Sequence, residues 1–153
     1  SLIQTTDGGY AVAGFTDSKG AGNRDAWVIK LNNQGNQVWD RTYGGSGEDL
    51  ASSLIQTTDG GYAVAGFTDS KGAGTEYFWV IRKLDNQGNQ IWDRIYGGSG
   101  YFKVSSLIQT TDGGYAMAGS ISSKGAGEED FWVIKLDEQG NLISGESDLG
   151  YDS

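Results

Sequence analysis

Three aspartates lie in identical Thr-Thr-Asp-Gly-Gly-Tyr segments, and they are the side chains with the clearest chemical potential. They are Asp7, Asp59 and Asp112. Carboxylate and backbone oxygens of such turns could bind Ca²⁺. The alternative is that each carboxylate accepts hydrogen bonds inside a tight turn, a common role of aspartate before glycine. The segments do not have the spacing of an EF-hand loop, so the sequence favours the turn, and we expect no metal site and no cofactor.

Catalytic groups are scarce in this sequence. Histidine and cysteine are absent, which removes the commonest general base and the familiar nucleophile–base pairs. Carboxylate pairs of the glycosidase type remain, but they would occur once rather than in every repeat. The glycine-rich segments 44–47 and 97–100 lack the Gly-Lys-Ser/Thr and the helix of a phosphate-binding loop. We therefore predict no catalytic residues and a protein that is not an enzyme.

A Ser-Lys-Gly-Ala-Gly segment occurs three times and forms the longest loop of each repeat. Its lysines are Lys19, Lys71 and Lys124. Three equivalent loops should lie on the same rim of a repetitive fold, and loops on a rigid scaffold are frequent binding sites. The alternative is a solvated charged loop, because acidic residues surround each lysine. We retain the three lysines as candidate ligand or interface residues.

Two substitutions between otherwise similar copies add candidates for an interface or ligand contact. Tyr77 replaces Asp25, and the pair Tyr101 and Phe102 replaces an acidic pair in the linker between repeats two and three. A change from acid to aromatic is typical of an interface. Neutral drift would produce the same change.

The five tryptophans fall into two groups. Trp27, Trp79 and Trp132 lie in apolar segments and are predicted to be core residues. Trp39 and Trp92 lie in a more polar segment. They could pack over the edge of a sheet, which the sequence favours, or stack on a sugar.

Charge excludes two classes of partner. Lysine and arginine total 11 against 20 acidic residues, a formal net charge of −9. A nucleic-acid partner is not expected, because phosphate binding needs a basic face, and neither is docking on an anionic membrane. No apolar run is long enough for a membrane span.

All these positions recur because the sequence repeats with a period of about fifty residues, the signature of a repeat architecture. Ser1–Gly22 returns unchanged at Ser53–Gly74 and again at Ser106–Gly127, altered only at Met117, Ser120, Ile121 and Ser122. We divide the chain into repeats 1–52, 53–105 and 106–153. Because it begins inside a repeat and without methionine, we interpret it as a piece of a longer protein.

Each repeat reads as four short strands separated by glycine turns. In repeat one they are 2–5, 10–16, 26–31 and 37–43. The second and third strands are apolar or small on both faces, so both faces must be covered. Only the fourth strand is half polar. The pattern predicts an all-β fold of four-stranded antiparallel β-propeller blades with the fourth strand outermost; a β-solenoid is the alternative, but its coils are usually shorter.

Repeats two and three each depart from this pattern. Trp79 and Leu84 are five residues apart, whereas Trp27 and Leu31 are four apart. The additional residue, Arg82 or Lys83, predicts a β-bulge in the third strand of the middle blade. Repeat three lacks the fourth-strand tryptophan and the Tyr-Gly-Gly-Ser-Gly signature. That end is either a frayed outer strand or the end of the array.

The combined motif resembles a known family. Thr-Asp-Gly-Gly-Tyr, Ala-Gly, Ser-Lys-Gly-Ala-Gly, Trp-Val-Ile-Lys-Leu, Gln-Gly-Asn, Trp and Tyr-Gly-Gly-Ser-Gly, in this order, look like the secreted β-propeller repeats of bacteria and archaea. The resemblance covers nearly the whole chain. It implies an extracellular or cell-envelope location and no particular ligand.

Three blades are fewer than the four to eight that close a propeller. Two apolar faces would therefore remain open and act as interfaces. We expect a non-enzymatic interaction or structural module that associates with itself, in a closed six-bladed dimer rather than an open fibre, or with the rest of a longer propeller. It could also bind a protein or glycan ligand. The alternative function is a lectin-like propeller with one weak glycan site per blade.

Overall fold

A computed structural model describes residues 1–69, 78–97, 101–122 and 129–144, and throughout these ranges the ordered elements are β-strands. The strands are β1 (Leu2–Gln4), β2 (Tyr10–Thr16), β3 (Asp25–Leu31), β4 (Gln37–Tyr43), β5 (Asp49–Gln56), β6 (Tyr62–Thr68), β7 (Phe78–Leu84), β8 (Gln90–Tyr96), β9 (Tyr101–Gln109), β10 (Tyr115–Ser122), β11 (Glu129–Leu136) and β12 (Leu142–Ser144).

The strands form three four-stranded antiparallel sheets in chain order. They are β1-β2-β3-β4 (blade 1), β5-β6-β7-β8 (blade 2) and β9-β10-β11-β12 (blade 3). The predicted all-β class with blade-like antiparallel sheets is confirmed. The three sheets do not close into a ring. The repeat boundaries at Ser53 and Ser106 fall inside β5 and β9, so blades 2 and 3 each begin a few residues before their repeat.

Each sheet has two faces, as strand alternation requires. One face is called the leading face; in blade 1 it carries Tyr10, Val12, Trp27, Ile29 and Leu31. The opposite face is called the trailing face; in blade 1 it carries Ala11, Ala13, Ala26 and Val28. Paired residues on β2 and β3 share a face, for example Val12 with Ile29. The same registers in β6–β7 and β10–β11 define both faces in the other blades.

Two apolar cores lie between successive blades. The trailing face of blade 1 packs on the leading face of blade 2, around Ala13, Val28 and Val64. The trailing face of blade 2 packs on the leading face of blade 3, around Trp79 and Trp132. Blade 2 is thus covered on both faces, which explains why β6 and β7 are buried along almost their whole length.

The predicted bulge in the middle blade is wrong. The register between β6 and β7 runs unbroken from Tyr62 opposite Leu84 to Thr68 opposite Phe78. An irregularity against β8 falls between Lys83 and Leu84, but it recurs at the same place in the other two blades and belongs to the repeat.

The additional residue lies instead before Phe78, and the register shows why. Leu84 keeps its repeat position, so Trp79 moves to the trailing face and is fully buried against Trp132. Arg82 takes the position of Ile29 and Ile134 on the leading face. Its charge is compensated there by Asp49, 3.0 Å away. The strand therefore remains regular.

Candidate interaction surfaces

Each Asp-Gly-Gly turn is closed by its own aspartate. In blade 1, Asp7 accepts hydrogen bonds from the Thr5 hydroxyl at 2.5 Å and from the Gly9 N–H at 2.9 Å. The Lys30 Nζ atom lies 3.1 Å from the second carboxylate oxygen. Lys83 and Asp59, and Lys135 and Asp112, form the same pair at 3.0 Å and 3.1 Å. The turn interpretation is confirmed, and a lysine ammonium neutralises each carboxylate.

These contacts favour the ionised carboxylate. The Thr5 hydroxyl, the Gly9 N–H and the Lys30 ammonium together lower the pKa of Asp7 to about 2. The equivalent three groups lower the pKa of Asp112 to about 2 as well. Within the described ranges, no group of three or more acidic side chains converges in a way that could hold a metal ion.

A second polar turn joins the third and fourth strands. In blade 2, the Asp85 carboxylate accepts the Asn89 N–H at 2.9 Å and the Gln87 N–H at 2.8 Å. The Asn89 backbone hydrogen bond is the main reason that the pKa of Asp85 is lowered, although partial burial opposes it. Asp137 and Asn32 close the other two copies of the turn. These turns place a glycine in the left-handed region of the backbone.

Lys19 is engaged within its own blade. Its Nζ lies 3.0 Å from Asp40 and 5.1 Å from the centroid of the Trp27 ring. Asp40 also accepts the Trp27 indole N–H at 2.9 Å. The indole and then the lysine lower the pKa of Asp40. The other two candidate lysines, Lys71 and Lys124, lie outside the described residues, and so does the candidate Tyr77.

Tyr101 and Phe102 do not lie in a linker between blades. They begin β9, where Tyr101 is paired with Ser122 and Phe102 with Ile121. The expectation of a linker is therefore wrong, because the inner strand of each later blade extends back past the repeat boundary. In blade 2, Asp49 occupies the position of Phe102.

The outer tryptophans pack on the following blade. Trp39 makes an edge-to-face contact with Tyr62 at 5.9 Å between ring centroids, and Trp92 makes the same contact with Tyr115 at 6.0 Å. Each indole also lies over a glycine of the next blade. A Cβ atom at Gly88 would be 2.7 Å from the Trp39 ring. The packing interpretation of these tryptophans is confirmed.

Three hydrogen bonds recur at both junctions between blades. The first joins a tyrosine hydroxyl of the outer strand to a glycine carbonyl of the next blade, from Tyr43 to Gly88 at 2.5 Å and from Tyr96 to Gly140. The second joins a turn N–H to a glutamine, from Thr6 to Gln56 at 2.9 Å and from Thr58 to Gln109 at 3.0 Å. The third joins a leucine N–H to a serine, from Leu54 to Ser1 at 3.3 Å and from Leu107 to Ser53 at 3.2 Å. These contacts were not predicted from the sequence. The available signal was the repetition of the threonine, glutamine, serine, leucine and glycine in all three repeats and of the tyrosine in the first two.

The two junctions differ at their centres. Between blades 1 and 2, Ala26 and Val80 occupy the central positions, beside the buried pair of Arg82 and Asp49. Between blades 2 and 3, Trp79 packs on Trp132 with ring centroids 4.6 Å apart. The junction between blades 1 and 2 therefore has small apolar side chains and an ion pair at its centre, and we call it the ionic junction. The junction between blades 2 and 3 has two indole rings at its centre, and we call it the aromatic junction.

The leading face of blade 1 is open. Leu2 is 67% exposed, whereas its counterparts Leu54 and Leu107 are each 2% exposed. Tyr10 and Val12 are only half-buried, whereas the tyrosine and valine at the same positions of blade 2 are buried. The residue types that form the cores inside the chain are thus presented to solvent at this end.

The trailing face of blade 3 is open in the same way. Phe131 is 71% exposed, and Val133 is 39% exposed. Their counterparts in blade 2, Trp79 and Ile81, are completely buried. Exposed apolar surface of this kind marks interaction sites.

Comparisons with family models and with curated proteins found no match to this chain. In the part of the chain that the structure describes, no helix is long and apolar enough to cross a membrane.

Proposed function

We propose that this protein is a non-enzymatic β-propeller module of the extracellular or cell-envelope type. It acts as an interaction or structural unit by associating with itself through the leading face of blade 1 and the trailing face of blade 3. A single observation carries the proposal: these two faces expose the residue types that the chain buries at its own blade junctions. Each buried leucine or phenylalanine contributes roughly 1.5–3 kcal/mol, so covering both faces is strongly favourable.

A closed six-bladed dimer is the assembly we favour. Every blade junction inside the chain joins a trailing face to a leading face, and a second copy supplies both of the missing faces at once. Closure covers all apolar faces with two chains, whereas an open head-to-tail polymer always leaves two faces exposed. In a longer chain, neighbouring blades of the same propeller would cover these faces instead.

The titratable groups support a non-enzymatic role. In the turns, hydroxyl, backbone and lysine donors lower the pKa values of Asp7 and Asp112 to about 2. In β4, the Trp27 indole and Lys19 lower the pKa of Asp40. A general acid or base needs a pKa near the operating pH. The pKa values of these aspartates are lowered, away from the range that a general acid or base needs.

The lectin-like alternative is weakened by the packing of Trp39 and Trp92, the two tryptophans that the sequence allowed to stack on a sugar. Sugar stacking needs an accessible aromatic face, and both outer tryptophans are engaged by a tyrosine and a glycine of the next blade. A glycan array would test this alternative directly, since reproducible binding of one sugar class would favour it over self-association. Turnover in a screen of hydrolytic substrates would contradict the non-enzymatic assignment.

Self-association is tested by the absolute mass in solution, measured by light scattering after size exclusion. The proposal predicts twice the 16.3 kDa of one chain. A polydisperse mass that rises with concentration would replace the closed dimer with an open polymer. A monomer at micromolar concentration would contradict self-association altogether.

A further inference from the structure

We propose that the contact between two copies has a defined aromatic seat, in which Phe131 of one copy packs against Trp27 of the other. The two copies meet head to tail, blade 3 on blade 1. This inference rests on the proposed head-to-tail self-association, and it adds the residues at the centre of the contact and the reason that the contact is weaker than the junctions inside the chain.

The seat follows from the register of the sheets. Phe131 is paired with Ser120, as Trp79 is paired with Phe67, so Phe131 occupies the position of Trp79 on the trailing face. Trp27 is paired with Gly14, as Trp132 is paired with Gly119, so Trp27 occupies the position of Trp132 on the leading face. At the junction inside the chain, Trp79 and Trp132 pack with centroids 4.6 Å apart. The same stacking brings Phe131 onto Trp27 of a second copy.

The leading face of blade 1 matches this aromatic junction rather than the ionic one. On the leading face of blade 2, Arg82 is buried and needs Asp49 as its partner. The same position in blade 1 is Ile29, which is half-buried and uncharged. Ile134 fills the position at the aromatic junction, where it is fully buried. At the position of Ile29, blade 1 therefore presents an apolar side chain to an aromatic trailing face, and the charges near Trp27 are already paired with each other as Lys19 and Asp40.

Polar groups at the edges of the two open faces are complementary as well. Thr6 and Thr58 donate their N–H groups to a glutamine of the next blade, and Thr111 is the corresponding donor of blade 3. Gln4 is the corresponding acceptor of blade 1. If two trailing faces met, threonine N–H donors would face each other. If two leading faces met, glutamine acceptors would face each other. Only the head-to-tail arrangement joins donor to acceptor.

The outer part of this contact is incomplete. Ser144 is paired with Lys135, as Trp39 is with Lys30 and Trp92 with Lys83, so a serine stands where the other blades carry the interlocking tryptophan. On the receiving blade, nothing lies within 4 Å of a Cβ built at Gly35. The contact between copies therefore forms at the inner strands and lacks its outer aromatic clasp, which makes it weaker than the junctions inside the chain.

The orientation is tested with one charged variant on each face. Phe131→Lys and Trp27→Asp should each reduce the mass in solution from dimer to monomer, because a charge would be buried at the seat. Ile91→Asp is the matched control, since Ile91 is 58% exposed on an outer strand away from both faces, and it should remain dimeric. An equimolar mixture of the two charged variants should recover dimers, which also shows that each variant is folded.

The outcomes separate this inference from the proposed function. A monomeric wild-type protein would contradict self-association itself. A wild-type dimer that survives both charged variants would leave self-association standing and overturn the aromatic seat. Dissociation by only one of the two variants would indicate a symmetric contact between like blades, and would overturn the head-to-tail orientation.

Restoring a tryptophan at the position of Ser144 tests whether the outer strand can strengthen the contact between copies. Ser144→Trp should lower the dimer dissociation constant about a hundredfold, because an edge-to-face aromatic contact with its buried area, worth roughly 1.4 kcal/mol, forms at each of the two junctions of the closed dimer. Ser144→Ala is the control and should leave the constant unchanged. An unchanged constant for Ser144→Trp would show that the outer strand does not face a second copy.

Discussion

The lysine that reaches back from the third strand is the residue that couples each acidic turn to its sheet. Its ammonium group also lies 2.7 Å from the carbonyl oxygen of Leu31 in blade 1, at hydrogen-bond distance. Lys83 and Lys135 do the same in the other blades. One side chain thus satisfies a carboxylate and a backbone carbonyl, and this explains why a lysine is found at a largely buried strand position.

The turn aspartates make stability depend on pH. The pKa values of Asp7 and Asp112 fall from 3.8 to about 2 on folding, so the unfolded chain binds more protons than the folded chain between these values. Their stabilising contribution is complete above about pH 4 and is lost as the pH falls towards 2. Urea unfolding followed by tryptophan fluorescence should show a falling midpoint over this range, with a smaller fall in Asp112→Asn. A midpoint that is constant down to pH 2.5 would contradict this account.

Removing one member of the buried ion pair Arg82–Asp49 should destabilise the protein more than removing both members. Arg82→Ile removes the guanidinium that compensates the buried Asp49 carboxylate, which keeps the Gly45 N–H as a hydrogen-bond donor. We expect a loss of about 3–5 kcal/mol of stability. Isoleucine is the residue at this position in both other blades, so its shape fits. The double variant Arg82→Ile/Asp49→Ala should lose less than the single variant in urea unfolding. A double variant at least as unstable as Arg82→Ile would contradict the view that the lone charge dominates the cost.

Among the elements, the outer strand and its glycine turn determine how one blade locks onto the next. Gly35 and Gly88 are equivalent turn glycines with φ of +82°. Only Gly88 has an indole ring above it, that of Trp39. The pair therefore separates backbone strain from the contact between blades.

Alanine at these two glycines should have unequal effects. Gly35→Ala should cost about 1–2 kcal/mol, the strain of a left-handed residue with a Cβ. Gly88→Ala should cost about 1–3 kcal/mol more, because the methyl group overlaps the indole. Thermal unfolding of both variants measures the difference, and the difference should largely disappear in a Trp39→Ala background. Equal losses in the wild-type background would show that the indole does not constrain the turn.

The strands themselves were predictable because their signals are local. Alternating apolar residues between glycine turns placed β2 and β4 at their observed bounds. The additional residue of the middle repeat could not be placed in this way, since a bulge in the strand and an insertion before it give the same spacing. The choice depends on Asp49, which lies on another strand and neutralises Arg82.

The contacts between blades were harder to predict than the blades. Trp39 meets Tyr62 and Gly88, which belong to the next repeat, and the residue types alone allowed either packing or sugar binding. The sequence pattern assigns Tyr101 and Phe102 to a linker, because they follow the glycine-rich segment 97–100 at the end of repeat two. Pairing with β10 makes them part of a strand. Repetition indicated which residues matter, and only the stacking of the sheets indicated what they contact.

The whole chain is a stack with two unlike ends. Blade 2 is complete on both sides, whereas blade 1 offers a leading face and blade 3 offers a trailing face. If a second copy covers them, native protein is stabilised by association, and the thermal midpoint must rise with protein concentration. A midpoint that does not change over a hundredfold concentration range would indicate a monomer whose open faces remain in water.

The closed head-to-tail dimer is tested most directly by cross-linking, because the chain has no cysteine of its own. In the variant Gln4→Cys/Thr111→Cys, each junction between copies places one introduced thiol beside another, within reach of a bis-maleimide about 10 Å long, the spacing of packed sheets. We expect a single covalent species at twice 16.3 kDa, and no cross-linking for Thr111→Cys alone. A ladder of higher multiples would contradict closure, and uncross-linked chains alone would contradict the head-to-tail contact.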